Sequence, residues 1–185
     1  YYVTRNNTSI LTFKVGTKLD NYSFNIVTSH TDSPTFKVKE NAEIEVKNKY
    51  TQLNTEGYGG MLCATWLDLP LSIAGRVLVS EGNSIVTKLL NIDRDLLMIP
   101  NVAIHMNRAA NDGFKYNLQV DMLPLLSAGD DRQKDFKQII ADELGVKKED
   151  ILGHDLYLYK KTISVFKCVW STHMSIDSYE KYISA

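Results

Sequence analysis

Two side chains near residue 30 have the types and the spacing of a metal ligand and its orienting partner. His30 and Asp32 stand two positions apart, after the mostly apolar run 24–27 and just before Pro34. A neutral imidazole is the commonest protein ligand for metals, and a neighbouring carboxylate often fixes its tautomer and orientation. The spacing therefore indicates His30 as a metal ligand and Asp32 as the carboxylate that holds its ring.

The same pair also has an ordinary interpretation. A loop histidine that hydrogen-bonds to a loop aspartate is more frequent than a ligand, because histidine is a residue of intermediate burial. A single histidine cannot hold a catalytic zinc, which takes three protein ligands. From His30 and Asp32 alone, both interpretations stay open.

A second histidine, His105, lies in the alternating segment 102–106. In an extended conformation Val102, Ile104 and Met106 face one way and His105 the other. If the apolar set faces the core, a strand presents His105 outward. The alternative is a histidine that only packs at a surface or an interface.

The elements that would position these side chains can be predicted from periodicity. We expect strands near 1–3 and 9–15, and a strand from 24 that delivers His30 to its carboxyl end, where open α/β sheets hold ligands. After Pro34 a period of two indicates a separate antiparallel unit. Its expected strands are 36–39, 42–47, 71–79, 85–92 and 151–159, with a hairpin turn at 81–83.

Helical signals are fewer. Residues 61–66 fit one or two helical turns, and the clearest helix runs from about 132 to 144. Asp130 or Asp131 can cap its amino end, and Gly145 suits the left-handed position after its carboxyl end. Residues 109–132 are expected to form an irregular connection.

Composition excludes several classes of function. The formal net charge of −1 over 185 residues gives no electrostatic reason to expect nucleic acid or an anionic membrane as partner. No apolar stretch approaches the ~20 residues that cross a bilayer. Two distant cysteines, Cys63 and Cys168, form no disulfide framework, so we expect the cytoplasm.

Six segments carry a resemblance to a known family. They are 30–34 (HTDSP), 56–60 (EGYGG), 65–68 (TWLD), 71–77 (LSIAGRV), 99–108 (IPNVAIHMNR) and 152–157 (LGHDLY). In order and spacing they resemble the aspartyl aminopeptidases, a family of zinc metallopeptidases, over about residues 2–159. The resemblance implies an α/β (α+β) fold, with the opening strands of a zinc-peptidase α/β domain and an inserted β-rich dimerisation domain.

The resemblance also implies domain limits and assembly. Residues 1–39 would open the catalytic domain, 40–157 would be the inserted domain, and 158–185 a return segment or divergent tail. The family's catalytic domain carries two zinc ions, and its dimers assemble further into a dodecamer.

Site residues are carried over only where the motifs match. His30 matches the family's first zinc ligand and Asp32 the carboxylate that orients it. His105 matches a histidine that reaches across the dimer interface to stabilise the oxyanion formed at the scissile carbonyl. His154 and His173 match no site residue of the family and are expected to be ordinary.

The expected function is a zinc-dependent aminopeptidase that removes acidic or other residues from the amino ends of peptides. The remaining ligands and the general base follow the inserted domain in the family, so we expect the 185-residue chain to be inactive alone. One alternative is a non-catalytic dimerisation module. Another is a β-rich binding domain unrelated to proteolysis, in which His30→Ala changes neither metal content nor partner binding.

Overall fold

The computed structural model describes residues 1–6, 8–17, 20, 23–30, 32–129 and 135–161. The chain divides into two compact units, Tyr1–Asp32 and a larger unit that begins at Ser33. In chain order the elements are β1 (Tyr2–Arg5), β2 (Ser9–Thr12), β3 (Thr35–Val46), β4 (Tyr50–Tyr58), a 3-10 turn (Cys63–Trp66), β5 (Leu71–Glu81), β6 (Ser84–Asn91), β7 (Leu125–Ala128), α1 (Phe136–Leu144), a second 3-10 turn (Lys148–Asp150) and β8 (Ile151–Lys160).

The first unit contains one antiparallel hairpin, β1 with β2. Tyr2 lies opposite Thr12, and the rings of Tyr1 and Phe13 stack with their centroids 5.4 Å apart. The large apolar side chains of both strands are exposed. This agrees with the general finding that an isolated two-stranded hairpin buries too little surface to be stable by itself.

The larger unit is a six-stranded antiparallel sheet with the order β6-β5-β8-β3-β4-β7. The chain joins this sheet at Thr35 and leaves it at Lys160, on two neighbouring strands. The Thr35 hydroxyl donates to the Leu158 carbonyl oxygen at 2.5 Å, so the two ends of the sheet lie side by side. An antiparallel mixed α/β fold confirms the predicted fold class.

One face of the sheet carries the core. Phe36 meets Trp66 edge to face with the centroids 5.3 Å apart, and α1 contributes the buried side chains of Phe136 and Ile140. The other face is polar at its centre. There Asp155 accepts from Lys37 at 2.7 Å and from Arg76 at 2.8 Å, and these two hydrogen bonds lower the pKa of Asp155 below its ordinary 3.8.

Gly75 permits the close approach of β5 and β8. Its φ is 154°, and a Cβ built on it would lie 2.1 Å from the Asp155 carbonyl oxygen. No side chain fits there unless the backbone moves. The sheet therefore requires glycine at this position.

Several predicted elements are confirmed. The hairpin of β5 and β6 turns at residues 82–83, and the strand from Ile151 is present. α1 ends at Leu144, and Gly145 after it has the predicted left-handed conformation, with a φ of 63°. Its amino-terminal cap is Asp135, which accepts from the Gln138 amide at 3.0 Å. Asp130 and Asp131, the predicted caps, lie outside the described residues.

Two predicted strands are wrong. Residues 23–30 form no strand, because a strand needs a hydrogen-bonding neighbour and none of the described residues pairs with them. The segment 102–106 ends in a turn in which the Met106 amide donates to the Ala103 carbonyl oxygen at 2.8 Å. The Asn101 side chain accepts from the Val102 amide, and such local bonds compete with sheet pairing.

Three further observations concern the predicted limits. The boundary predicted between residues 39 and 40 falls within β3, and the compact unit begins at Ser33. Of the predicted return segment, residues 162–185 lie outside the described residues. The predicted irregular connection contains the short strand β7.

Within the described part of the chain, no helix has the length and apolarity to cross a membrane.

Candidate functional site

His30 and Asp32 are in contact in the first unit. The Nδ1 atom of His30 lies 3.0 Å from Oδ1 of Asp32 and 3.0 Å from the Asp32 carbonyl oxygen. In the tautomer with its proton on Nδ1, the ring donates to both oxygens. Nε2 is then the basic nitrogen, which is the arrangement of an imidazole prepared to bind a metal.

The pair is open to solvent. The His30 side chain is 71% exposed and that of Asp32 is 55% exposed. Because water screens such a pair strongly, its electrostatic contribution to stability is small. The exposed, oriented ring is accessible to a metal, and it equally fits the ordinary interpretation of a loop histidine bonded to a loop aspartate.

The fit to zinc is partial. Among the residues that the structure describes, no group of three or more His, Cys, Asp or Glu side chains could hold a metal ion. A catalytic zinc takes three protein ligands. The described residues therefore fit one ligand position of a zinc site, with His30 as the ligand and Asp32 as the carboxylate that orients it.

His105 belongs to the larger unit and lies in the turn that replaces the predicted strand. It is exposed, as predicted, but its neighbours are not in the core. Val102, Ile104 and Met106 are also exposed, Met106 by 80%. The turn therefore presents His105 beside three exposed apolar side chains.

His154 differs from the two histidines above. It lies in β8 with its ring edge-on to Phe136, at a centroid distance of 6.2 Å, and its buried Nδ1 has no hydrogen-bond partner among the described residues. Burial lowers the pKa of His154 below its ordinary 6.5, although Glu40 opposes the shift. The alternation of His154 with Leu156 and Leu158 is the sequence signal for this inward position.

Comparison with known proteins adds the family. Residues 1–169 match the family described as aminopeptidase I zinc metalloprotease (M18). A probable M18 family aminopeptidase 2 of Clostridium acetobutylicum is 48% identical over 166 residues, which are 86% of this chain and 38% of the relative. The corresponding protein of Clostridium novyi is 44% identical over 166 residues, with the same coverage.

Solved structures agree. The cryo-EM structure of the Ape4 and Nbr1 complex matches with a TM-score of 0.64 and 30% identity, over 72% of this chain and 29% of that one. The structure of Chaetomium thermophilum mApe1 matches with a TM-score of 0.61 and 25% identity, over 71% of this chain and 33% of that one. The chain thus spans less than two fifths of the length of these relatives. With a family match over nine tenths of its length, it belongs to the M18 aminopeptidases, a family of zinc metalloproteases.

Proposed function

We propose that the complete protein is a zinc-dependent aminopeptidase that removes amino-terminal residues from peptides, and that this chain supplies part of its active site. Membership of the M18 family supports the reaction class. The contact between Nδ1 of His30 and the Asp32 carboxylate is the structural observation that carries the proposal.

In this proposal His30 binds zinc through Nε2, and Asp32 keeps the ring in the required tautomer. A carboxylate behind a ligating histidine also raises the basicity of the ligand. Two zinc ions complete the site, and residues beyond this chain's described part provide the other ligands. When bound, zinc acts as a Lewis acid on the scissile carbonyl.

His105 acts in the active site of a second copy. It is a donor placed to stabilise the negative charge that develops on the carbonyl oxygen. The exposed Val102, Ile104 and Met106 support this role, because they provide apolar surface for a partner beside the imidazole.

In this proposal the complete protein is a homodimer, and its dimers form a dodecamer. We place it in the cytoplasm, where Cys63, a free thiol whose pKa burial raises, stays reduced.

The test uses the complete protein expressed from its gene, with peptides that begin with acidic or other residues. Wild type should release the amino-terminal residue. His30→Ala should lose zinc and activity together, and Asp32→Asn should weaken zinc binding about 10- to 100-fold. Lys14→Gln, an exposed change in the same unit, is the control. Full zinc content in the His30→Ala protein would contradict the assignment.

A mixing experiment tests His105. His105→Gln should lower kcat about 10²- to 10³-fold without loss of zinc. When the His30→Ala and His105→Gln chains are coexpressed, each mixed dimer has one site with both histidines, provided that His105 acts across the interface. Activity should then return to about a quarter of wild type for random pairing in a twofold dimer. If His105 acts within its own chain, the mixture stays inactive.

A second candidate is a dimerisation module, favoured by the self-contained sheet whose ends meet at Thr35 and Leu158. In that case the 185-residue chain forms a dimer, binds no zinc and has no activity. Because the first candidate expects the same of this chain by itself, the complete protein distinguishes the two: the first candidate requires it to contain zinc and to release amino acids, and the second requires neither. Tight stoichiometric zinc on the chain by itself would contradict both candidates as stated.

A further inference from the structure

Strands β3 and β8 are neighbours in the sheet but stay paired only at one end. Lys37 faces Tyr157 in register, and β3 then has an irregularity between Val38 and Glu43 in its pairing with β4. Beyond this point a cleft of about 230 Å³ lies between β3, β8 and the start of α1. His154 lines this cleft from β8.

His154 is held there by apolar contacts. Its ring lies perpendicular to that of Phe136, the first residue of α1. In the pairing of β5 with β8, His154 lies opposite the buried Val77. Its Nδ1 is buried without a hydrogen-bond partner among the described residues. A neutral imidazole tolerates this environment, whereas an imidazolium needs hydration or an acceptor for each N–H.

The charged groups around His154 come from three elements. The acidic ones are Glu40 and Glu43 of β3, Asp135 before α1, and the adjacent Asp155. Most of these already have partners: Glu43 accepts from the Phe136 amide at 2.7 Å, Asp135 is paired with Lys148, and Asp155 with Lys37 and Arg76.

Glu40 is therefore the carboxylate whose charge most favours a protonated His154. The cations Lys37 and Lys137 oppose protonation, and burial opposes it most. Lys148 also lines the cleft. A proton on His154 thus creates a charge that is stable only if the ring leaves Phe136 for water and Glu40.

We propose that His154 is an acid-sensitive latch: its protonation releases Phe136 and the first turn of α1 from the sheet and opens the cleft between β3 and β8. The latch lies in the sheet unit and does not depend on the aminopeptidase assignment. Above the ordinary pKa of histidine the latch is closed. As the pH falls below that value, the closed state loses stability, because the open state takes up the proton more readily.

The experiment uses the 185-residue chain without mutation first. An NMR titration of the His154 ring should show it gaining its proton below the ordinary histidine pKa of 6.5. Amide hydrogen exchange in α1, corrected for its intrinsic pH dependence, should become several-fold faster between about pH 7.5 and about pH 5. Amides of the β5–β6 hairpin provide the internal reference and should keep their protection.

Two variants sharpen the test. His154→Gln should remove the acid-dependent part of the α1 exchange. Glu40→Gln should move it to lower pH, because the remaining charges favour the neutral ring, whereas Glu143→Gln on the exposed side of α1 should not. The proposal is overturned if His154 gains its proton at or above the ordinary histidine pKa of 6.5, or if α1 exchange in wild type has no excess over the reference at low pH. It is also overturned if His154→Gln retains that excess.

Discussion

The opening 32 residues and the sheet that follows differ in what their apolar side chains do. Phe24 in the first unit is 78% exposed, whereas Phe36, two residues beyond Pro34, is fully buried at 0%. Both segments are rich in apolar residues, but among the described residues the buried core lies in the sheet unit. We therefore expect the sheet to be stable without the first unit.

This difference separates the two parts of the proposed active site. The proposed zinc ligand, His30, lies in the first unit, in which no described residue belongs to the buried core, and His105 lies on a turn of the well-packed unit. We therefore expect the scaffold that carries His105 to be the more stable of the two.

The largest expected effect comes from matched phenylalanine truncations in the two units. Phe36→Ala leaves a cavity beside Trp66 and should lower the free energy of unfolding by about 3 to 5 kcal/mol. Phe24→Ala should change it by less than about 0.5 kcal/mol. Urea unfolding followed by fluorescence measures both. Equal effects would show that the first unit has a core of its own.

Gly75→Ala should cause the next largest loss in the free energy of unfolding. The added Cβ meets the Asp155 carbonyl oxygen, so β5 and β8 must separate, at a cost of about 3 kcal/mol or more. Gly82→Ala is the control, since its Cβ has open space and only the left-handed backbone is strained, at about 1 kcal/mol. A Gly75→Ala protein as stable as the control would mean that the central strands can part freely.

Removal of a carboxylate compares the polar contacts of the two units. Asp155→Asn loses the ion pairs with Lys37 and Arg76 and should cost about 1 kcal/mol at neutral pH. Because the folded pKa of Asp155 is lowered, the difference from wild type is present above pH 3.8 and disappears as the pH falls through the folded pKa. Asp32→Asn, in the exposed pair, should leave stability unchanged. A pH-independent Asp155→Asn effect would argue against the ion pairs as its cause.

The smallest expected effect is the removal of residues 1–32. If the sheet is self-sufficient, the shortened chain should unfold within about 0.5 kcal/mol of the full chain, because no core residue is lost. Denaturant titrations of the two chains under one set of conditions provide the measurement. A markedly less stable short chain would show that the sheet depends on residues 1–32 for its stability.

The sequence predicts the sheet better than it predicts the first unit, for a physical reason. Strands such as β5, β6 and β8 pair with one another, so alternation within the chain is enough to find them. The run 24–27 has the apolar content of a strand, but it joins no sheet among the described residues. At 102–106 the alternation was misleading. The segment forms local hydrogen bonds to the Asn101 side chain and within a backbone turn, and it forms no strand.

The candidate site was predicted in part. A spacing of two positions suffices for a side chain to reach its neighbour's ring, and the contact between His30 and Asp32 is present. Their zinc-binding role stays a prediction, because ligands that converge from distant segments leave no local pattern. The same holds for His105, whose proposed target lies on another molecule.

The hydrogen bond between Thr35 and Leu158 has a practical consequence for protein engineering. With the two ends of the sheet unit side by side, the unit can be spliced into a surface loop of a host without altering the host's chain path. A short peptide joining residue 34 to residue 160 would cut the module out cleanly.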